Sequence, residues 1–223
     1  MPQSDHSDFD TYFDRRASRF AAFYRSEPVS RLLGRGPLFD RLTKAVDVVT
    51  ARGARHVLDV GCGSGPLFGP LAERGIEVTG IDPAPAMVAL AEREAARFPG
   101  RVRVEARGWE EIAEVDAYDA ATALGVFDYV DEPEALLVRM GRAAPIAVGS
   151  FPAPGLRVEL RKIRYGARGV HVHGYRRADL DALAEAAGMR VAEAQPLGRA
   201  GYLVTFERRN GPPAAAGTTP TTH

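Results

Sequence analysis

The chain has 223 residues, 29 basic and 29 acidic side chains for a formal net charge of zero, and one cysteine. That length suits a single α/β domain with a substantial core, and a neutral chain exerts no overall pull on nucleic acid or an anionic membrane. A lone cysteine excludes an intrachain disulfide framework, no apolar run approaches the roughly 20 residues that span a bilayer, and MPQSDHSDFD lacks the form of a signal peptide, so a cytoplasmic protein is expected.

Taken in chain order, residues 9–50 read as helical, with aromatics at Phe9, Tyr12, Phe13, Phe20, Phe23 and Tyr24 and a break around Gly34 to Pro37. Residues 56–60 form a short apolar run of the buried parallel-strand type, followed by a helix over about 66–74. A second strand covers 76–81, and Pro83 and Pro85 set the start of a helix over about 84–97. RVRVE at 101–105 alternates as a third strand, and AYDAATALG at 117–125 makes a fourth. A helix over about 132–142 and a fifth strand at 145–151 come next. An arginine-rich insert over about 151–177 leads to a helix at about 176–187 and two strands, 189–195 and 201–207.

Alternating strands and helices imply parallel pairing with right-handed crossovers, hence an α/β, Rossmann-like doubly wound sheet. The last two strands have no long helix between them and are expected to form an antiparallel hairpin at the C-terminal edge. The expected division is a helical cap at 1–50, a cofactor-binding domain at 51–208 and a tail at 209–223. That tail is too poor in apolar residues to fold.

The stretch HVLDVGCGSG at 56–65 carries the chemistry. Glycines at 61, 63 and 65 let the backbone turn tightly and let a ligand approach without meeting a Cβ. Asp82 follows 21 residues after Gly61, about the spacing at which an acidic residue meets ribose hydroxyls in nucleotide-binding βαβ units. A dinucleotide fingerprint would read G-x-G-x-x-G; here the third glycine comes one residue early, and Asp59 ends the strand. A carboxylate there repels a pyrophosphate but suits an ammonium or sulfonium group. Cys62, within the loop, reads as a small residue that fits rather than a nucleophile.

An acidic residue followed by G-x-G-x-G resembles the first motif of the class I S-adenosylmethionine-dependent methyltransferases, and the likeness extends over roughly residues 50–207. The resemblance implies S-adenosylmethionine as cofactor, held by Asp59, Gly61, Gly63 and Gly65. Asp82 would take both ribose hydroxyls, with Pro83 and Met87 lining the adenine. The family's Gly-Asp pair after the third strand is replaced here by Arg107 and Gly108, so the carboxylate for the adenine amino group is missing. Backbone at Gly108 and Trp109, or Glu110, is the expected substitute, with Trp109 stacking on the purine. In ALGVFDYV at 123–130, Leu124 and Gly125 would border the methionine portion, and Phe127, Asp128 and Tyr129 would face the methyl group and its acceptor.

Methyl transfer from a sulfonium needs alignment and exclusion of water more than a strong catalyst. An oxygen acceptor still calls for a base, and an amine must be held unprotonated. HVHGY places His171 and His173 two apart, with Tyr175 beyond them. No third ligand lies nearby and no metal is expected. His173, Tyr129 and Asp128 are the candidate catalytic residues, and Tyr12, Tyr24, Phe127, His171 and Tyr175 the candidate substrate contacts. The insert's basic residues, among them Arg157, Arg161, Lys162 and Arg164, form either a solvated face or a clamp for an acidic group on the acceptor.

These features favour transfer to oxygen or nitrogen of a small molecule, with no nucleic-acid or membrane partner. Two alternatives use the same nucleoside site: methylation of RNA or protein, and cofactor binding without catalysis. Zero net charge and the lack of an N-P-P-Y or D-P-P-Y tetrapeptide after strand four argue against base methylation.

Overall fold

The computed structural model describes residues 36–166, 171–198 and 200–209. The expected helical reading of residues 9–35 and the tail from residue 210 lie outside the described residues. Helix α1 (Gly36–Ala51) leads into strand β1 (His56–Val60), the short helix α2 (Phe68–Ala72), β2 (Glu77–Ile81) and α3 (Pro85–Ala95). Next come β3 (Val102–Glu105), a 3-10 turn (Trp109–Glu111), β4 (Ala120–Ala123), α4 (Pro133–Ala143) and β5 (Ile146–Pro152). Helices α5 (Leu156–Gly166) and α6 (Arg177–Ala186) precede β6 (Met189–Pro196) and β7 (Gly201–Arg208).

The seven strands make one sheet in the order β3-β2-β1-β4-β5-β7-β6. Strands β1 to β5 are parallel, whereas β7 runs antiparallel to both β5 and β6. The fold is therefore Rossmann-like, with the expected C-terminal hairpin closing one end of the sheet. Within that hairpin β7 lies inside and only β6 reaches the edge. Side chains alternate along each strand, so both faces are covered by helices. Leu58, Val60 and Ala121 pack with Leu136, Leu137 and Met140 of α4 and Leu180 of α6 on one face. Val57, Val78 and Ala120 pack with Val46 and Val49 of α1, Leu71 of α2 and Ala91 of α3 on the other.

Two local differences from the sequence reading have physical causes. The fourth strand is shorter than 117–125. The Asp119 carboxylate accepts hydrogen bonds from the backbone N–H groups of Arg55 and His56, at 2.8 and 2.9 Å, which commits that residue to a turn. At the other end Gly125 has φ +90°, in the left-handed region, and ends the strand. The insert, read only as arginine-rich, contains a helix with no proline or glycine before its final residue. Val158 and Arg161, three apart, together with Tyr165, four further on, share its inner face, from which Arg161 and Tyr165 meet Asp128 and Tyr129 in the loop after β4.

Candidate active site at the carboxyl end of the sheet

The glycine loop leaves β1 with Gly61, Gly63 and Gly65 at φ of +63°, +56° and +78°. A Cβ at Gly61 would lie 2.5 Å from Val126, and one at Gly65 would lie 2.4 Å from Phe68. At Gly63 a Cβ would meet nothing within 4 Å. The outer two glycines are thus demanded by protein packing, and the middle one borders open space where a ligand can lie against the main chain.

Asp82, at the end of β2 and only 8% exposed, ties this loop down. One carboxylate oxygen accepts from Gly63 N–H at 2.9 Å and the other from Ala84 N–H at 3.0 Å. A carboxylate offers about four lone-pair sites, so fastening the loop is compatible with receiving ribose hydroxyls. Pro83 is exposed beside it, and Met87 is buried against Ala84 and Leu90. Cys62 is buried, with its thiol pushed well above the ordinary range by burial and by Asp59 and Asp82.

Asp59 and Thr122 are register partners in adjacent strands. The Thr122 hydroxyl donates to the Asp59 carboxylate at 2.7 Å. Burial raises the Asp59 carboxyl to about 7, assisted by the charge of Asp82 and opposed by Thr122 and Arg41. Arg41 reaches in from α1, and its Nη1 would lie 3.0 Å from a Cβ placed on Gly125. Gly125 N–H in turn donates to the Ser150 hydroxyl at 2.8 Å. Leu124 packs partly buried beside α1. A cationic group over Asp59 and a carboxylate near Arg41 match the two charges of an amino-acid moiety.

At the adenine end, Arg107 is occupied by Glu105 at 2.8 Å and Glu114 at 2.5 Å. Gly108 is buried, and half-buried Trp109 packs against the core. The Glu110 carboxylate lies 2.5 Å from the site of a Cβ on Gly108, so a larger residue there would displace the end of that side chain.

The acceptor side is built by the loop after β4 and by the insert. Phe127 and Tyr175, expected to touch substrate, sit in the wall instead. The Phe127 ring is fully buried and stacks on Phe151 at 4.4 Å, and the Tyr175 hydroxyl donates to the Phe127 carbonyl at 2.9 Å. Arg161 Nη2 donates to the Asp128 carboxylate at 2.7 Å and to the Tyr129 hydroxyl at 2.8 Å. Its guanidinium also lies over the Tyr129 ring, 5.3 Å from the centroid. Burial pushes the Tyr129 hydroxyl above its usual range. Arg161 is thus engaged inside the protein rather than offered as an anion clamp, while Lys162 and Arg164 are exposed.

His173 N–H donates to the Asp128 carbonyl at 2.8 Å, and its Nε2 lies 2.9 Å from the Asp131 carboxylate. His171 Nδ1 shares that carboxylate at 3.2 Å, from a more exposed position. The structure therefore groups Asp128, Tyr129 and both histidines. Tyr12 and Tyr24 lie outside the described residues. Sequence reasoning missed Arg41, Thr122 and Asp131; only Thr122, a polar residue inside an apolar strand, carried a local signal. Among the described residues no three His, Cys, Asp or Glu side chains are grouped to hold a metal. No helix among them is long and apolar enough to cross a membrane.

Residues 15–194 match the model of a family described as "Methyltransferase domain". The ubiquinone biosynthesis O-methyltransferase of Alkalilimnicola ehrlichii is 40% identical over 81 residues, which are 35% of this chain and 33% of that protein. That of Xanthomonas campestris pv. campestris is 32% identical over 140 residues, 61% of this chain and 57% of the relative. The chain thus spans less than two thirds of the length of these relatives. Among solved structures, magnesium protoporphyrin IX methyltransferase from Synechocystis with bound SAH superposes with a TM-score of 0.76 at 21% identity, covering 92% of this chain and 100% of the other. The 1,6-didemethyltoxoflavin-N1-methyltransferase of Burkholderia thailandensis gives a TM-score of 0.63 at 21% identity, covering 94% and 93%. Matched by the family model over most of its length, with Asp59, the glycine loop and Asp82 assembled at the carboxyl ends of β1 and β2, the chain belongs to the methyltransferase-domain family, whose members take their methyl group from S-adenosylmethionine.

Proposed function

We propose that this protein transfers a methyl group to a hydroxyl of a small molecule. The observation that carries the oxygen reading is the His173–Asp131 contact at 2.9 Å beside Asp128 and Tyr129. A carboxylate-paired imidazole is suited to accept a hydroxyl proton. In the tautomer that donates Nε2–H to Asp131, Nδ1 holds the lone pair for that proton. When bound, S-adenosylmethionine supplies an electrophilic methyl on a sulfonium centre. Asp82 and the main chain at Gly63 hold its ribose, and Arg41 and Asp59 hold its amino-acid charges. Tyr129 and Asp128, fixed by Arg161, bound the space that an acceptor enters. Two further points support the reading: the curated relatives are named O-methyltransferases, and Gly63 faces open space.

The test is a panel of matched small phenols and amines incubated with the full chain and methyl-labelled cofactor. Labelled ether products from the phenols support the reading. Labelling of the amines alone would redirect it to nitrogen, and tight cofactor binding with no product from either class would mean a binding protein.

A further inference from the structure

S-adenosylmethionine is an amino acid, a ribose and an adenine joined in line, and the strand order decides where each part lies. The groups suited to its amino-acid charges are Asp59, near the end of β1, and Arg41, beside Gly125 beyond β4. Asp82, suited to the ribose, follows β2. With the strands in the order β4-β1-β2-β3, the base that continues past the ribose comes to the loop after β3. The Asp82 N–H donates to the Glu105 carbonyl at 3.3 Å, which makes that loop the neighbour of the Asp82 turn.

Adenine is told from other purines of the same outline by its 6-amino group, a donor that calls for an acceptor on the protein. Residues 105–114 hold four acids. Three of them build the loop itself: Glu105 and Glu114 hold the Arg107 guanidinium, and the Glu111 carboxylate accepts from the Gly108 N–H at 3.0 Å. Glu110 is set differently. Its Oε2 lies 2.5 Å from the point that a Cβ on Gly108 would occupy, about as far as an aspartate's carboxylate oxygen stands from its own Cβ. Gly108 has φ −78° and ψ 168°, an extended backbone open to any residue, so glycine is not needed there for its conformation. What its missing side chain provides is room for the Glu110 carboxylate.

We propose that Glu110 is the adenine-selecting residue of this chain. Its carboxylate, set in the space that Gly108 leaves, accepts a hydrogen bond from the 6-amino group of the cofactor. A carboxylate offers about four lone-pair sites, so this role is compatible with any further bond that Glu110 makes. It rests on S-adenosylmethionine occupying the site and is independent of the methyl acceptor.

Calorimetric titration of the full chain with S-adenosylhomocysteine, and with its analogue carrying hydrogen in place of the 6-amino group, tests this. The wild type prefers the amino compound by about tenfold or more, the effect of one bond to a charged group. Glu110→Ala binds the two about equally, through weaker binding of the amino compound alone. Adding Gly108→Asp, which carries a carboxylate on residue 108 itself, restores the preference. A purely structural role for Glu110 would weaken both compounds alike, and that result overturns the proposal. So does an undiminished preference in Glu110→Ala, which would assign selection to the main chain at Gly108 and Trp109. Binding of neither compound to the wild type would refute the cofactor site itself, and the proposal with it.

Discussion

The Arg161 guanidinium and the Asp128 carboxylate meet at 2.7 Å with side chains 30% and 12% exposed. Asp128 lies in the loop after β4, and Arg161 lies on the helix of the insert, 33 residues later. Removing the arginine leaves a nearly buried carboxylate without its countercharge, and breaking such pairs is costly. It also releases the Tyr129 hydroxyl and ring from their shared partner.

Arg161→Met is therefore expected to lower the methyl-transfer rate at least tenfold, about 1.4 kcal/mol of barrier. Cofactor affinity should stay near the wild-type value. Arg161→Lys should recover part of the rate, because an ammonium keeps the charge without the planar fork. Steady-state kinetics with calorimetric cofactor titration makes the check. Parallel losses of rate and cofactor affinity would place Arg161 in general support of the fold.

His173→Ala and Tyr129→Phe should each reduce turnover tenfold or more with little change in cofactor binding. Asp131→Asn should reduce it less, since an amide oxygen can still accept from the His173 imidazole but orients it without the carboxylate's charge. Wild-type turnover in all three variants would show that transfer here depends on alignment alone.

For Asp82→Ala, the expected loss in S-adenosylmethionine affinity is roughly 2–3 kcal/mol, the range for bonds to a charged group. Because Asp82 also fastens Gly63 and Ala84, the variant should lose loop order before ligand is added. Faster amide exchange at Gly63 in the free protein would reveal that. A folded variant with unchanged affinity would remove Asp82 from the site.

Two loop glycines should respond differently to the same change. Gly63→Val is expected to abolish cofactor binding with a modest stability loss, since its Cβ enters open space at a strained φ. Gly61→Val should destabilise the protein outright, because its Cβ would collide with Val126. Thermal melting separates the two, and a stable Gly61 variant would contradict the packing described.

Asp59 sets a pH dependence with a definite sign. Its carboxyl is raised from 3.8 to about 7 on folding. Between about pH 4 and 7 the folded state holds a proton that the unfolded chain has released. Stability from this group is therefore lost as pH rises through that window and is level above it. A cationic ligand over Asp59 would draw the proton off, so cofactor binding at pH 6–7 should release a proton, and Asp59→Asn should abolish the release. Titration calorimetry in buffers of different ionisation enthalpy measures this directly.

The parts of the site that lie close along the chain were legible in the sequence. Val57 to Gly65 states a buried strand and a turn within ten residues, and Asp82 sits at the end of the next strand. Arg41, Asp131 and the internal role of Arg161 were not legible, because each acts on a residue brought near only by sheet order and helix packing. Phe127 and Tyr175 show the reverse failure. Their types suited a pocket, but the stacking of Phe127 on Phe151 and the bond from Tyr175 to the Phe127 carbonyl place them in its wall. Charge counting likewise hid α5, whose inner face is defined by only three residues.

Cys62 is the chain's single thiol, sits between two glycines of the loop, and is 4% exposed. A thiol reagent can reach it only when that loop opens. Its labelling rate is consequently a native clock for loop opening, and slowing of that clock would register ligand occupancy with no probe added to the protein.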